Sequence, residues 1–151
     1  MFRERHLAPS SIRILGVVVT AGSAAGLAAS IPSLPTRTGA DASALVVALG
    51  VGIALGLSAA TQTLLITVRD GTLVIQLTPF FRKTVLTTQV ASVSATTINP
   101  AGYGGVGIRR APGKPPAVFQ RGGSAAKLQM RDGSTLILEC DDVPGLADAL
   151  R

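Results

Sequence analysis

Apolar residues run almost unbroken from Ile12 to Ala60, whereas beyond Thr61 they alternate with polar ones in short segments punctuated by Gly, Pro and Asp-Gly. The first run, Ile12 to Ile31, has one formal charge, Arg13 near its start, and the second, Ala42 to Ala60, has none. Each is close to the roughly 20 apolar residues that a helix needs to cross a hydrocarbon core. In lipid every backbone group must be bonded inside its own segment, so two isolated apolar runs are expected as helices. Between them residues 32–41, PSLPTRTGAD, break the pattern with two prolines and close a short turn.

Charge in the flanks sets an expected orientation. Arg3, Arg5 and Arg13 stand at the start of the first run, Arg69, Arg82 and Lys83 follow the second, and the connecting loop offers only Arg37. An excess of Lys and Arg marks the cytoplasmic side. The expectation is therefore a multi-pass protein of the cell (plasma) membrane with both termini cytoplasmic. Its parts are a flank at 1–11, spans at 12–31 and 42–60, an external loop at 32–41 and a cytoplasmic domain at 61–151. A cleavable export signal is the competing reading of the first run, because small residues around Ala28 to Ser30 follow a basic start.

Small residues recur within both runs at i, i+4 spacing, Gly22 with Gly26 and Ala48 with Gly52 and Gly56. Such stripes let helix backbones approach closely in lipid. Closing an antiparallel hairpin at 32–41 sets Gly22 at the depth of Val51 and Gly26 near Val47, so these five residues are the expected helix-packing contacts. Homodimerisation is the other use of the same stripes.

Beyond the second run the period changes to two. TLLITV and TLVIQL flank Arg69-Asp70-Gly71, a strong local hairpin signal, with Leu73, Ile75 and Leu77 alternating against Thr72, Val74 and Gln76. Pro79 ends that strand, and FFRKTVLTT and VASVSATTI complete an expected meander of about four strands before Asn99-Pro100. KLQM and STLILEC repeat the device around Arg131-Asp132-Gly133, with Ala126, Leu128 and Met130 on one face. Asp141 and Asp142 offer helix caps, Pro144 suits a first turn, and Leu146, Ala147 and Leu150 share a face. The fold class expected is thus α+β: a two-helix transmembrane hairpin, then a small antiparallel β-barrel or sandwich whose mouth a C-terminal helix caps.

Composition narrows the chemistry. The formal charge is +6, but cations are scattered and aromatics are 3% of the chain, so the basic stripe and stacking rings of a nucleic-acid binder are missing. Cys140, the single cysteine, follows Leu136 and Leu138 at every second position and reads as a small buried hydrophobe. His6 stands alone in the N-terminal flank and reads as a solvated or interfacial side chain. The acidic residues fall at turns, at a strand end or near the helix cap, which leaves no catalytic constellation, metal ligand set or cofactor motif. Gly104-Gly105 beside Tyr103 lacks the Lys-Ser/Thr of a phosphate loop and reads as tight backbone geometry.

The opening FRER at Phe2 to Arg5, YGGVGIR at Tyr103 to Arg109, RDGSTLILE at Arg131 to Glu139 and the closing helix to Leu150 resemble a group of uncharacterised bacterial two-helix membrane proteins. Those proteins carry a C-terminal pleckstrin-homology-like (PH-like) domain. Val106 departs from the aromatic that often follows the Gly pair there. The resemblance implies a PH-like fold for the domain and supplies no ligand residues, because that fold hosts many functions.

Two expectations follow for function, neither an enzyme. One is a protein-interaction or assembly module tethered at the inner leaflet, using strand edges or the Gly/Pro-rich stretch 99–123, with a protein partner or a second copy. The other is contact with anionic lipid headgroups through Arg82, Lys83, Arg109, Arg110, Lys114 and Arg121. Apart from the bilayer and these partners, neither a cofactor nor a small-molecule substrate is expected, and two spans without an intramembrane charge argue against a transport pathway.

Overall fold

A computed structural model describes every residue except Arg37 and Phe80. The connecting loop's arginine and the first residue of FFRKTVLTT therefore lie outside the described residues. The chain divides into a helical unit, Ala8–Gln62, and a β unit made of Met1–Leu7 with Thr63–Arg151.

The helical unit is an antiparallel pair, α1 (Ser10–Ser30) and α2 (Gly39–Thr61), with a 3-10 turn at Ile31–Thr36. Thr38 caps α2, its side-chain oxygen accepting from the Asp41 N–H at 3.3 Å, and Asp41 complements the positive helix start. Both helices are long and apolar enough to cross a membrane. Their large side chains, Ile14, Leu15, Val18, Val47 and Leu55 among them, are exposed, and each helix buries one residue, Gly16 in α1 and Gly56 in α2.

Those two glycines mark where the backbones touch. A Cβ at Gly16 would fall 2.5 Å from Ala60 N and 2.6 Å from Gly56 O, and one at Gly56 would fall 2.7 Å from Gly16 O. Gly52 faces Ser23, and Gly26 faces Leu49. Gly22 meets nothing within 4 Å, and both it and Ala48 are exposed. The expected stripe is corrected accordingly: α1 meets α2 along Gly16, Thr20, Ser23 and Gly26. Thr20 serves because its hydroxyl folds back to Gly16 O at 2.8 Å, which makes the helix surface there as shallow as a small residue would.

In the β unit the first sheet has order β1-β2-β3-β4, from β1 (Phe2–Leu7), β2 (Thr63–Arg69), β3 (Thr72–Thr78) and β4 (Phe81–Leu86), all antiparallel. Asp70 and Gly71 both have positive φ, 50° and 70°, the geometry of a type I′ turn, so the Asp-Gly signal is realised between β2 and β3. The segment left as a flank by its charge, FRERHL, is the strand that pairs with β2. Alternation explains it: Phe2, Glu4 and His6 face inward while Arg3, Arg5 and Leu7 are exposed.

The expected four-strand meander stops at β4. A 3-10 turn, Thr87–Gln89, carries the chain into a second sheet of order β5-β8-β9-β7-β6, made of β5 (Val90–Ile98), β6 (Gly107–Arg109), β7 (Ala117–Phe119), β8 (Gly123–Met130) and β9 (Thr135–Glu139). The purely antiparallel expectation fails at one place, where β7 pairs with β9 in parallel. Residues 120–122 cross the end of β9 to reach β8, and three residues suffice for the two strand spacings of about 9.5 Å. Among the described residues the strands form two open sheets and no closed barrel.

The sheets pack across a shared core. Leu64, Ile66, Leu73 and Ile75 from the first sheet meet Val118, Leu128 and Leu138 from the second, and full burial of each such aliphatic side chain contributes about 1.5–3 kcal/mol. A smaller cluster on the other face of the second sheet, around Ile98 and Phe119, is covered by Tyr103 and Val106. The Gly/Pro-rich stretch thus closes a core, with Tyr103 edge-on to Phe119 and its hydroxyl donating to Pro115 O at 3.2 Å. Gly104 and Gly105 take φ of 70° and 121°, the tight backbone geometry expected of them. The chain ends in α3 (Val143–Ala149), capped by Asp142, whose carboxylate accepts from Gly145 N at 2.9 Å. Val143 and Leu146 enter the main core.

Candidate functional site

Two places in the β unit concentrate polar chemistry, a buried cluster at the end of β9 and an open groove beside β4.

The cluster begins with the crossover at 120–122. Glu139 points its carboxylate at the passing backbone and accepts from the N–H groups of Gln120 and Arg121. Arg121 returns the contact, its Nε donating to Glu139 Oε1 at 3.1 Å. From β1, Glu4 accepts from Asp141 N at 2.6 Å and from the Cys140 thiol at 3.0 Å. His6, 2% exposed, lies between them, with Nδ1 3.1 Å from an Arg121 terminal nitrogen and Nε2 2.8 Å from Glu4 Oε1. An arginine can only donate, so Nδ1 is the acceptor in its contact with Arg121. Nε2 is buried and makes no full hydrogen bond among the described residues.

One donor atom each from Glu4, His6 and Asp141 lies within 4.8 Å of the others, the grouping of a metal site. The same side chains join β1 to the second sheet through hydrogen bonds and ion pairs, a polar latch between the two. The reading of His6 as a solvated flank residue is overturned for the same reason, since alternation along β1 carries it inward. Cys140 is fully buried, as expected; burial pushes its thiol pKa up, and the hydrogen bond to Glu4 adds to the shift. Burial of this kind leaves the thiol protonated and inert.

The groove is a cavity of about 540 Å³, within the range of ligand sites. Lys83, Thr84 and Val85 of β4 form one wall, with Thr88 and Gln89 of the following turn. Arg110 and Pro116 of the Gly/Pro-rich stretch, and Met130 to Leu136 around the β8–β9 turn, supply the rest. A neighbouring cleft shares Arg110 and Pro116 and adds Lys114. Lys83 sits at an unusual register. It pairs with Ile75 on the inward row of the first sheet, between Phe81 and Val85, where the core opens at the β4 edge. Arg131 is held by its Nε donating to Thr88 O at 2.7 Å. Asp132 is the one carboxylate in the lining; hydrogen bonds from the Ser134 side chain and N–H lower its pKa, with the charge of Lys83 adding.

Of the six cations expected at lipid, Lys83, Arg110 and Lys114 gather along this groove and its neighbour. Arg82 lies on the opposite, outward face of the first sheet, in register with Gln76, Leu65 and Arg5. Arg109 folds back to Val106 O at 2.7 Å, and Arg121 belongs to the latch. Sequence reasoning missed Arg131 as a groove residue. Its alternation against Met130 placed it on the polar face, but only the fold shows what that face borders.

The chain is therefore an α+β protein with two long apolar helices ahead of two β-sheets and a terminal helix. Comparison with protein-family models, curated proteins and solved structures finds no match.

Proposed function

We propose that the chain is an integral membrane protein whose β unit, PH-like in type, is a protein-interaction or assembly module held at the cytoplasmic leaflet. One observation supports this above the rest. The helical hairpin is inserted between β1 and β2, which pair along their whole length from Phe2↔Val68 to Leu7↔Thr63. Only Ala8 and Pro9 separate β1 from α1, and only Gln62 separates α2 from β2. A hairpin that crosses the bilayer twice returns to the side it left, which is what a sheet built from both flanks requires. A cleaved export signal would remove β1 and with it half of the polar latch. Arg3, Arg5, Arg13, Arg69, Arg82 and Lys83 favour the cytoplasmic side.

The test is crosslinking of the full chain in its native membrane followed by mass spectrometry. Adducts to a second copy or another protein are the expected result, and recovery of monomer alone across several crosslinker lengths sinks the reading.

Headgroup contact is the second reading, favoured by the outward face of the first sheet, where Arg3, Arg5 and Arg82 alternate with no carboxylate. Each cation near an anionic surface contributes about 1 kcal/mol. Residues 61–151 alone lack β1, so the test uses the full chain in nanodiscs offered to anionic vesicles. Attachment that ignores both salt and the triple substitution of these arginines by Gln removes this reading.

A further inference from the structure

We propose that the groove beside β4 docks an extended acidic segment of a partner protein, which adds to the free edge of β4 and sets its carboxylates among Lys83, Arg110 and Arg131. The inference rests on the interaction-module reading and names the site and the chemistry of its partner.

Three features converge there. First, β4 is an edge strand with β3 as its only neighbour among the described residues, so one row of its backbone N–H and C=O groups has no strand to pair with. Such an edge is a template for an incoming strand, whose main-chain bonds give affinity and whose alternate side chains give specificity. Second, the groove is amphipathic. Val85, Met130, Leu136 and Pro116 line it alongside the cations, which suits a strand that alternates apolar and acidic residues at period two. Third, its charge is one-sided, three cations against Asp132, and Asp132 is engaged by Ser134.

Protection of the edge against aggregation accounts for an inward lysine on β4. It does not account for Arg110 and Arg131, which come from other parts of the chain and line the same cavity. A lone phosphate group would satisfy the cations and leave both the strand edge and the apolar lining unused. An acidic strand uses all three. The Gly/Pro-rich stretch gains a second role in this arrangement, since the loop that covers the Phe119 cluster also presents Arg110 to the groove.

The experiment places a photo-crosslinking residue at Thr84, on the β4 edge, in the full chain in its own membrane, with the same residue at Thr67 on the interior strand β2 as reference. Adducts are identified by mass spectrometry. The expected result is a protein adduct at Thr84 and not at Thr67, whose crosslinked peptide carries an excess of Asp and Glu. Lys83→Glu with Arg110→Glu lowers its yield at least about tenfold, and Arg151→Glu, an exposed cation outside the groove, leaves it unchanged. A phospholipid adduct, a peptide without excess acid, equal yields at Thr84 and Thr67, or indifference to the double reversal overturns the proposal. Crosslinks to protein elsewhere on the chain with none at Thr84 also overturn it while leaving the module reading intact, whereas no protein crosslink anywhere removes both.

Discussion

Leu55 on α2 and Leu128 on β8 are both leucines in regular structure, yet Leu55 is 61% exposed and Leu128 is 0% exposed. The helical unit turns its large apolar side chains outward and brings its glycines together at Gly16 and Gly56. The β unit does the reverse, burying aliphatic side chains between two sheets and keeping most of its charges outside, with Glu139 of the latch buried. Water drives the burial of Leu128. In the bilayer proposed above, hydrocarbon would give Leu55 no reason to hide and would leave close backbone packing as the available source of helix association.

The same substitution made in both places breaks the comparison most directly. Leu128→Ala should cost about 2–5 kcal/mol, as buried leucines do when a cavity is left. Leu55→Ala should cost about 0.5 kcal/mol or less. Chemical unfolding in a fixed detergent measures both, and similar losses would mean that α2 buries its outer face against something. Glycine substitutions come next. Gly56→Val forces apart two backbones in contact and should cost about 1–3 kcal/mol, while Gly22→Val, with open space around it, should be nearly silent. Engineered cysteine crosslinking between α1 and α2 reports the difference.

The latch tests whether β1 belongs to the sandwich rather than to the helices. Glu4→Gln removes the charge from the acceptor of Asp141 N and the Cys140 thiol and should cost about 1–2 kcal/mol. Hydrogen exchange should then rise along β1 and at Asp141 before it rises elsewhere, and uniform loosening would count against a local latch.

Two smaller effects follow from the pKa shifts. Cys140 should resist alkylation at pH 8 until the β unit unfolds, since its thiol is buried with a raised pKa. The sign is that of a raised group. Its contribution to stability is complete below the ordinary thiol value of 9.0 and declines as pH climbs above it, because the unfolded chain ionises first. Asp132 runs the other way. Its lowered pKa means that the turn at Gly133 is favoured above about 3.8 and loses that help as pH falls through the folded value, which amide shifts at Ser134 would follow.

Much of the fold was legible because its signals are local. The hairpin helices follow from apolar runs that carry a single charge, Arg13, and the β2–β3 and β8–β9 hairpins from Asp-Gly and Arg-Asp-Gly flanked by alternating residues. The short segments GVGIRR and AVFQ interrupt the Gly/Pro-rich stretch with apolar residues and contain β6 and β7. What escaped was pairing over distance. FRERHL alternates as cleanly as any strand, but its arginines and its position before an apolar run matched a membrane flank equally well. Likewise VASVSATTI looked like the next strand of a meander, and nothing within it says that β8, about 30 residues later, is its neighbour.

The two units divide the credit for the same physical reason. Sequence alone determined that two apolar segments stand next to each other, that a β region follows, and that its turns fall at Gly71 and Gly133, since each depends on residues within a turn or two of one another. Tertiary structure alone decided that Gly16, not Gly22, meets α2, that His6 is buried against Glu139 and Arg121, and that Lys83, Arg110 and Arg131 border one groove. Those outcomes depend on register and crossover across about 30 to 130 residues, where hydrophobic period is silent and only the packing of both sheets around Leu64, Ile75, Leu128 and Leu138 selects a partner.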